Sequence, residues 1–202
     1  RLIDFTANRS NKISTLPSTI TNVLDAGTDV ELQAYRDIDI ISDIVVNNTG
    51  GDGGNFSMRA GRRINIEAAI DTDNGALTLE ANDLTGCSGG ASKCSNNRGG
   101  GAGYILMNSG SIIDTGTGTF TATISTESTS GDISLHTVNA GALVVVNNGT
   151  TAGSDILDTG VLTVTGTSSF TTAVSDGVIT LDSTNVLSGA VNLNTNSTGS
   201  SA

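Results

Sequence analysis

The stretch from Asp29 to Asp71 reads DVELQAYRDIDIISDIVVNNTGGDGGNFSMRAGRRINIEAAID and contains one strand pattern twice. Val30, Leu32, Ala34, Ile38, Ile40 and Ile44 fall opposite Phe56, Met58, Ala60, Ile64, Ile66 and Ile70, all at an offset of 26 residues. Within each copy apolar residues alternate with polar ones, which is the period of a strand with one buried face. A third, partial copy, Leu77, Leu79 and Ala81, follows 21 residues after Phe56. Clusters of glycine, asparagine and aspartate separate the copies, as at Asn47 to Asn55 and Asp71 to Gly75, and these residues favour turns.

Further along, short apolar runs recur at Tyr104 to Met107, Phe120 to Ile124, Ile133 to Leu135, Ala142 to Val146 and Val161 to Val164. Others follow at Phe170 to Val174, Val178 to Leu181 and Ala190 to Leu193. Turn pairs such as Asn148-Gly149, Asp176-Gly177 and Ser188-Gly189 lie between them, and no run of ten or more residues carries a helical period with caps. The chain is therefore expected to be all-β. A sandwich and a parallel β-helix compete, and copies sharing six apolar points at a one-coil offset favour the β-helix. In such a solenoid a single coil cannot bury its own face, so the stack is the folding unit and both of its ends are expected to expose open coil edges. The reading divides the chain into a leading coil or connecting segment (1–23), regular coils (24–82), a glycine-rich excursion (83–103), further coils (104–196) and a polar tail or continuation (197–202).

Composition narrows the function. The 202 residues include 26 glycines, one proline and no tryptophan, and the net charge is −11. All nine basic residues lie at or before Arg98, and residues 99–202 hold seven acids and no base. Nucleic-acid binders draw most of their affinity from basic contacts, so nucleic acid and anionic lipid are not expected partners. No apolar run approaches the ~18–20 residues that span a bilayer as a helix, so membrane insertion is not expected. Low charge density, scarce proline and ordered alternation argue against disorder.

Four segments carry a family resemblance: DAGTDVELQAYRDIDI, GGNFSMRAGRRINIEAAI followed by GALTLEAND, SGDISLHTVNAGALVVVN, and VLTVTGTSSFTTAVSDGVITLDSTNVLSGAVNLN. Their succession of strand, small-residue turn and D-I-x-I-like strand resembles the haemagglutinin-type repeats of filamentous-haemagglutinin-like exoproteins. Those are large adhesins exported by two-partner secretion in Gram-negative bacteria. The resemblance implies a right-handed parallel β-helix, exposure at the cell surface and a structural or adhesive role. It implies partners on a host or neighbouring cell, protein or glycan, or further copies of the chain itself. The N-P-N-L and N-x-N-P motifs of the family's secretion domain are not found here, and no signal peptide is read, so an interior or distal stalk segment is expected.

Candidate sites follow. Cys87 and Cys94 bracket Ser-Gly-Gly-Ala-Ser-Lys in the excursion. Two cysteines alone do not make a zinc site; a disulfide closing the loop fits an exported protein, and free thiols are the alternative. The excursion is long enough to invite a recognition role, and Lys93 and Arg98 would give its tip a local positive character; a tolerated exposed insertion is the plainer reading. Asp71 and Asp73 could form a carboxylate pair of the kind carbohydrate-active β-helix enzymes use, but Asp-Thr-Asp-Asn-Gly reads better as a turn. His136 has no nucleophile partner and is read as a surface or turn residue. Gly50-Gly51-Asp52-Gly53-Gly54 resembles a calcium turn but occurs once. Strand-end asparagines (Asn47, Asn74, Asn82, Asn147 among them) either stack as amide ladders or simply tolerate turn backbone, the latter being favoured. Asparagines at or inside N-x-S/T triplets, Asn8, Asn48, Asn55, Asn148 and Asn196, are candidate glycosylation positions. No cofactor is expected. The function expected is a non-catalytic stalk or adhesive segment, with a polysaccharide lyase or hydrolase as the alternative.

Overall fold

A computed structural model describes residues 2–4, 16–84, 98–127 and 129–195. The chain winds into six coils of parallel strands. Strand β1 (Leu2–Asp4) and helix α1 (Pro17–Leu24) precede the stack. The first coil comprises β2 (Val30–Ala34), β3 (Asp37–Ile40) and β4 (Ile44–Val45), and the second β5 (Phe56–Ala60), β6 (Arg63–Ile66) and β7 (Ala69–Asp71). The third holds β8 (Leu77–Ala81), β9 (Gly103–Met107) and β10 (Ile112–Asp114); the fourth, β11 (Thr119–Ile124), β12 (Ser130–Leu135) and β13 (Thr137–Ala140). The fifth holds β14 (Ala142–Asn147), β15 (Ile156–Asp158) and β16 (Leu162–Val164), and the sixth β17 (Ser168–Thr172), β18 (Ile179–Thr180) and β19 (Val186–Leu187). Strand β20 (Val191–Thr195) follows the sixth coil on one side only, as the eighth strand of the sheet that β1 begins.

The first strands of the coils form an eight-stranded sheet, β1-β2-β5-β8-β11-β14-β17-β20, and the second and third strands form two six-stranded sheets. Every pairing is parallel. The offset of 26 is the physical register: Val30 pairs with Phe56, Ile38 with Ile64 and Ile44 with Ile70. Because the side-chain period of a strand is two, that register stacks like on like through the interior. On the second sheet one inward column is isoleucine at every rung: Ile38, Ile64, Ile105, Ile133, Ile156 and Ile179. Phe56, Phe120 and Phe170 fill the first sheet's inner face and are fully buried. β-Branched and aromatic residues suit this setting because they pack well on a pleated surface.

Two features close the corners. Between the third and first sheets a column of glycines, Gly54, Gly75, Gly118, Gly141, Gly166 and Gly189, stacks backbone on backbone. A Cβ on Gly141 would lie 2.0 Å from the Thr117 carbonyl oxygen, and one on Gly189 2.1 Å from that of Gly166. The N–H of Gly166 donates to Gly141 O at 2.7 Å and that of Gly141 to Gly118 O at 2.9 Å. Carboxylates and amides supply the rest. Where a strand begins, its first N–H has left the regular ladder, and an unpaired buried donor is unfavourable. Asp29 accepts from Asn55 N–H at 2.8 Å, and Asn55 in turn accepts from Ala76 N–H at 2.9 Å. Asp43 accepts from Ala69 N–H, Asp132 from Asp155 N–H and Asp155 from Val178 N–H, at 2.9, 2.8 and 2.8 Å.

The two ends differ: at the start β1 is the outermost strand of the first sheet, with α1 packed on the core beside it, and at the far end β20 is outermost. Within the segment read as a leading coil or connector, β1 pairs with β2 as an outer rung of the first sheet, and α1 packs against the first coil. Pro17 opens the helix at a position where its missing N–H is not needed. Ile20 and Leu24, one turn apart, are buried in the core, with Val23 packed beside them. The Leu24 carbonyl accepts from Gly54 N–H at 2.9 Å, tying the helix to the first corner. At the other end Val191 and Leu193 continue the inward column below Ser168 and Phe170 but remain 43% and 50% exposed.

Candidate functional site

Three places collect side chains with chemistry: the ionic faces of the first three coils, the root of the excursion, and the outer face of the second sheet around β9, β12 and β15.

Arg59 lies among three carboxylates, Glu31 of the first coil at 3.1 Å and Glu80 and Asp83 of the third at 3.2 and 3.4 Å. On the second sheet, Arg62 grips Asp37 with two nitrogens, Nε to Oδ1 at 2.6 Å and Nη2 to Oδ2, and donates through Nη1 to Gly100 O at 2.8 Å. This fork geometry is the strong form of an ion pair. Its hydrogen bond to Asp37 raises the Arg62 pKa further above its ordinary value. Arg63 donates to the Tyr104 hydroxyl at 2.6 Å, sits 5.6 Å from the centre of that ring, and lies 3.4 Å from Asp37 and 3.7 Å from Asp39. These pairs stitch neighbouring coils together. Arg36, the remaining basic residue of these coils, lies 3.7 Å from Asp37.

The excursion between β8 and β9 is anchored at its root by Arg98. The expectation of Arg98 at an exposed, positive loop tip is wrong: the residue is 4% exposed. Its Nη2 donates to Asn82 Oδ1 at 2.8 Å and to Thr129 O at 3.0 Å, and its Nη1 donates to Gly101 O at 2.7 Å. Asn82, buried and in a left-handed conformation at φ 58°, donates onward to Ser125 O at 2.7 Å. Burial lowers the Arg98 pKa, with repulsion from Arg62 adding to it. Carbonyl and amide oxygens thus hold both terminal nitrogens while the buried Nε has no partner among the described residues, so this cation is built into the fold. Cys87, Cys94 and Lys93 lie outside the described residues, as do Asn8 and Asn196.

The other candidates resolve as corner chemistry. Asp71 accepts from Asp73 N–H at 2.9 Å, and Asp73, at φ 48°, accepts from Asn48 N–H at 2.7 Å. Both carboxylates thus hold a turn and its neighbour in the preceding coil. Asn48 is occupied similarly: its Nδ2 donates to Asp52 O and its Oδ1 accepts from Gly50 N–H. The acceptor triplet at this corner is Asn47-Asn48-Thr49, so Asn47, which is exposed, and not Asn48, is its first residue. Asn55 is exposed but holds Ala76, and Asn148 is half-buried. His136 sits at the corner after β12 with Nδ1 3.3 Å from Thr159 Oγ1. Among strand-end asparagines, Asn74 and Asn82 adopt positive φ, in line with the turn reading. Asn147 is buried in an inward column, where its amide donates to Gly131 O and Asp155 O and accepts from Gly149 N–H. One amide rung does form, Asn108 Nδ2 to Asn65 Oδ1 at 2.6 Å.

The third place was not legible beforehand. On the outer face of the second sheet one column reads Asp39, Asn65, Leu106, Ser134, Leu157, Thr180, rung by rung. Two leucines on an otherwise polar outer column, one rung either side of a serine, form the walls of a trough of about 350 Å³. Next to them the register of β12 against β9 slips between Ser130 and Ile133, so Gly131 and Asp132 both face Tyr104. Such a bulge re-aims side chains locally.

Comparison with protein-family models, curated proteins and solved structures returns no match. No described helix is long and apolar enough to cross a membrane.

Proposed function

We propose that this chain is a stiff, non-catalytic segment of a large exported bacterial surface protein, serving as an adhesive stalk or as part of a surface fibre. The observation that carries this reading is the use made of the acidic side chains. Asp29, Asp43, Asp132, Asp155 and Asp158 each accept backbone N–H groups one coil onward, 23 to 26 residues away, rather than converging on one point. A chain that commits its carboxylates to its own corners in this way is built for length and rigidity. Stacked rungs about 4.8 Å apart give the six coils a height of roughly 30 Å.

The resemblance to haemagglutinin-type repeats supports the surface and adhesive parts of the reading, and export by two-partner secretion belongs to the same proposal. A disulfide between Cys87 and Cys94 would suit that extracellular setting. The test is location together with inertness. Antibodies raised against the purified chain are expected to label intact, unpermeabilised source cells, and the chain is expected to leave a panel of acidic and neutral polysaccharides undegraded. Labelling only after permeabilisation, or release of sugar fragments, would overturn the proposal.

A further inference from the structure

The trough on the second sheet has the make-up of a ligand site, and we infer that it binds a single uncharged pyranose unit of a glycan. The inference rests on the adhesive reading of the chain and places recognition on the coils, not on the cysteine-containing excursion.

The walls come first. Leu106 and Leu157 stand two rungs apart on the same outer column, about 9.5 Å given the spacing of neighbouring strands, and the short Ser134 lies between them. The trough between them has a volume near 350 Å³, at the small end of ligand sites.

The polar groups decide the ligand. Asp132 keeps its Oδ1 on the Asp155 N–H at 2.8 Å, and among the described residues nothing bonds its second oxygen or the Ser134 hydroxyl. Both are therefore available to a hydroxyl-bearing edge. Tyr104 adds an aromatic wall whose orientation is fixed, because Arg63 holds its hydroxyl at 2.6 Å. Charged ligands fit poorly on either sign. The Asp132 carboxylate disfavours an anion. The Arg63 guanidinium, 5.6 Å from the Tyr104 ring centre, already occupies the cation-attracting aromatic environment and repels a second cation. What remains is a neutral molecule with an apolar face and a hydroxylated edge, which describes a pyranose.

The glycine at the bulge provides a clean variant. A Cβ at Gly131 would lie in ordinary van der Waals contact with the Cβ atoms of Tyr104 and Ala102, at 3.4 and 3.5 Å, and with the Gly103 carbonyl oxygen at 3.7 Å, and its φ is not in the left-handed region. A larger side chain there fills the space beside Tyr104 without forcing the backbone.

The full chain is assayed by saturation-transfer NMR and on an array of immobilised oligosaccharides: neutral gluco-, galacto-, manno- and N-acetylhexosamine oligomers, with oligogalacturonate and heparin as anionic comparisons. At least one neutral oligomer is expected to bind. Gly131→Leu and Tyr104→Ala are expected to weaken it about tenfold or more, and Asp132→Asn several-fold, at unchanged thermal midpoint for Gly131→Leu. Absence of binding to every neutral oligomer, stronger binding to the anionic ones, or wild-type binding by Gly131→Leu would overturn the inference. Labelling of intact cells is independent of all three results, so the site can fail while the surface-stalk proposal stands.

Discussion

Gly141 shows how little room a coil corner leaves. The Thr117 carbonyl lies where a Cβ would go, and both partners are backbone that cannot rotate away. Gly141→Ala is expected to destabilise the fold by about 2–3 kcal/mol in urea unfolding, a magnitude typical of forced overpacking. Gly51→Ala, where no atom lies within 4 Å, should fall within about 0.5 kcal/mol of wild type. Arg98 makes the complementary case. Its removal leaves Asn82 Oδ1 and the Thr129 and Gly101 carbonyls without their donor, so Arg98→Ala is expected to lose about 2–3 kcal/mol. Arg98→Lys should recover less than half, because an ammonium cannot present the two nitrogens that reach these acceptors together. The glycine-rich composition pointed to corners in advance. Burial of Arg98 could not be read from the sequence, since it depends on where the excursion returns against the fourth coil.

At the scale of elements, the corner acids behave as caps for strands. Asp155→Ala is expected to lose about 1–2 kcal/mol, because Val178 N–H loses its acceptor. Asp155→Asn should be nearly neutral, since Asn55 performs the same task with an amide oxygen toward Ala76. Equal losses in the two variants would show that the negative charge itself is what matters. Helix α1 is the second element with a testable role. Leu24 is fully buried against the first coil, so Leu24→Ala should lose about 2–4 kcal/mol. In native-state hydrogen exchange the loss should appear in the amides of β2, β3 and β4 and leave β14 to β17 protected, because each coil contacts only its neighbours. The helix escaped notice in the sequence for a physical reason. It is eight residues long and rich in Ser, Thr and β-branched positions, so propensity is weak and the contact with the first coil does the stabilising.

For the whole molecule, the contrast between its ends matters most. Among the described residues α1 packs Ile20 and Leu24 onto the core of the first coil, whereas at β20 the inward column emerges with Val191 and Leu193 about half exposed. An uncovered rung with apolar side chains is a template for another strand. In the fibre form of the proposal the purified chain should self-associate through this rung. Sedimentation velocity is expected to show concentration-dependent association that Val191→Lys with Leu193→Lys abolishes; association unaffected by these changes would place the contact elsewhere. The sequence by itself determined the all-β class, the solenoid, and the register of the first two coils and of the third coil's first strand. Those properties follow from side-chain alternation and a constant offset, which are local and repetitive. Tertiary structure alone decided what α1 packs against, what Arg98 holds, and the trough on the second sheet. Leu106, Ser134 and Leu157 come from three successive coils, and the slip in register that brings Asp132 beside Tyr104 exists only once those coils are stacked.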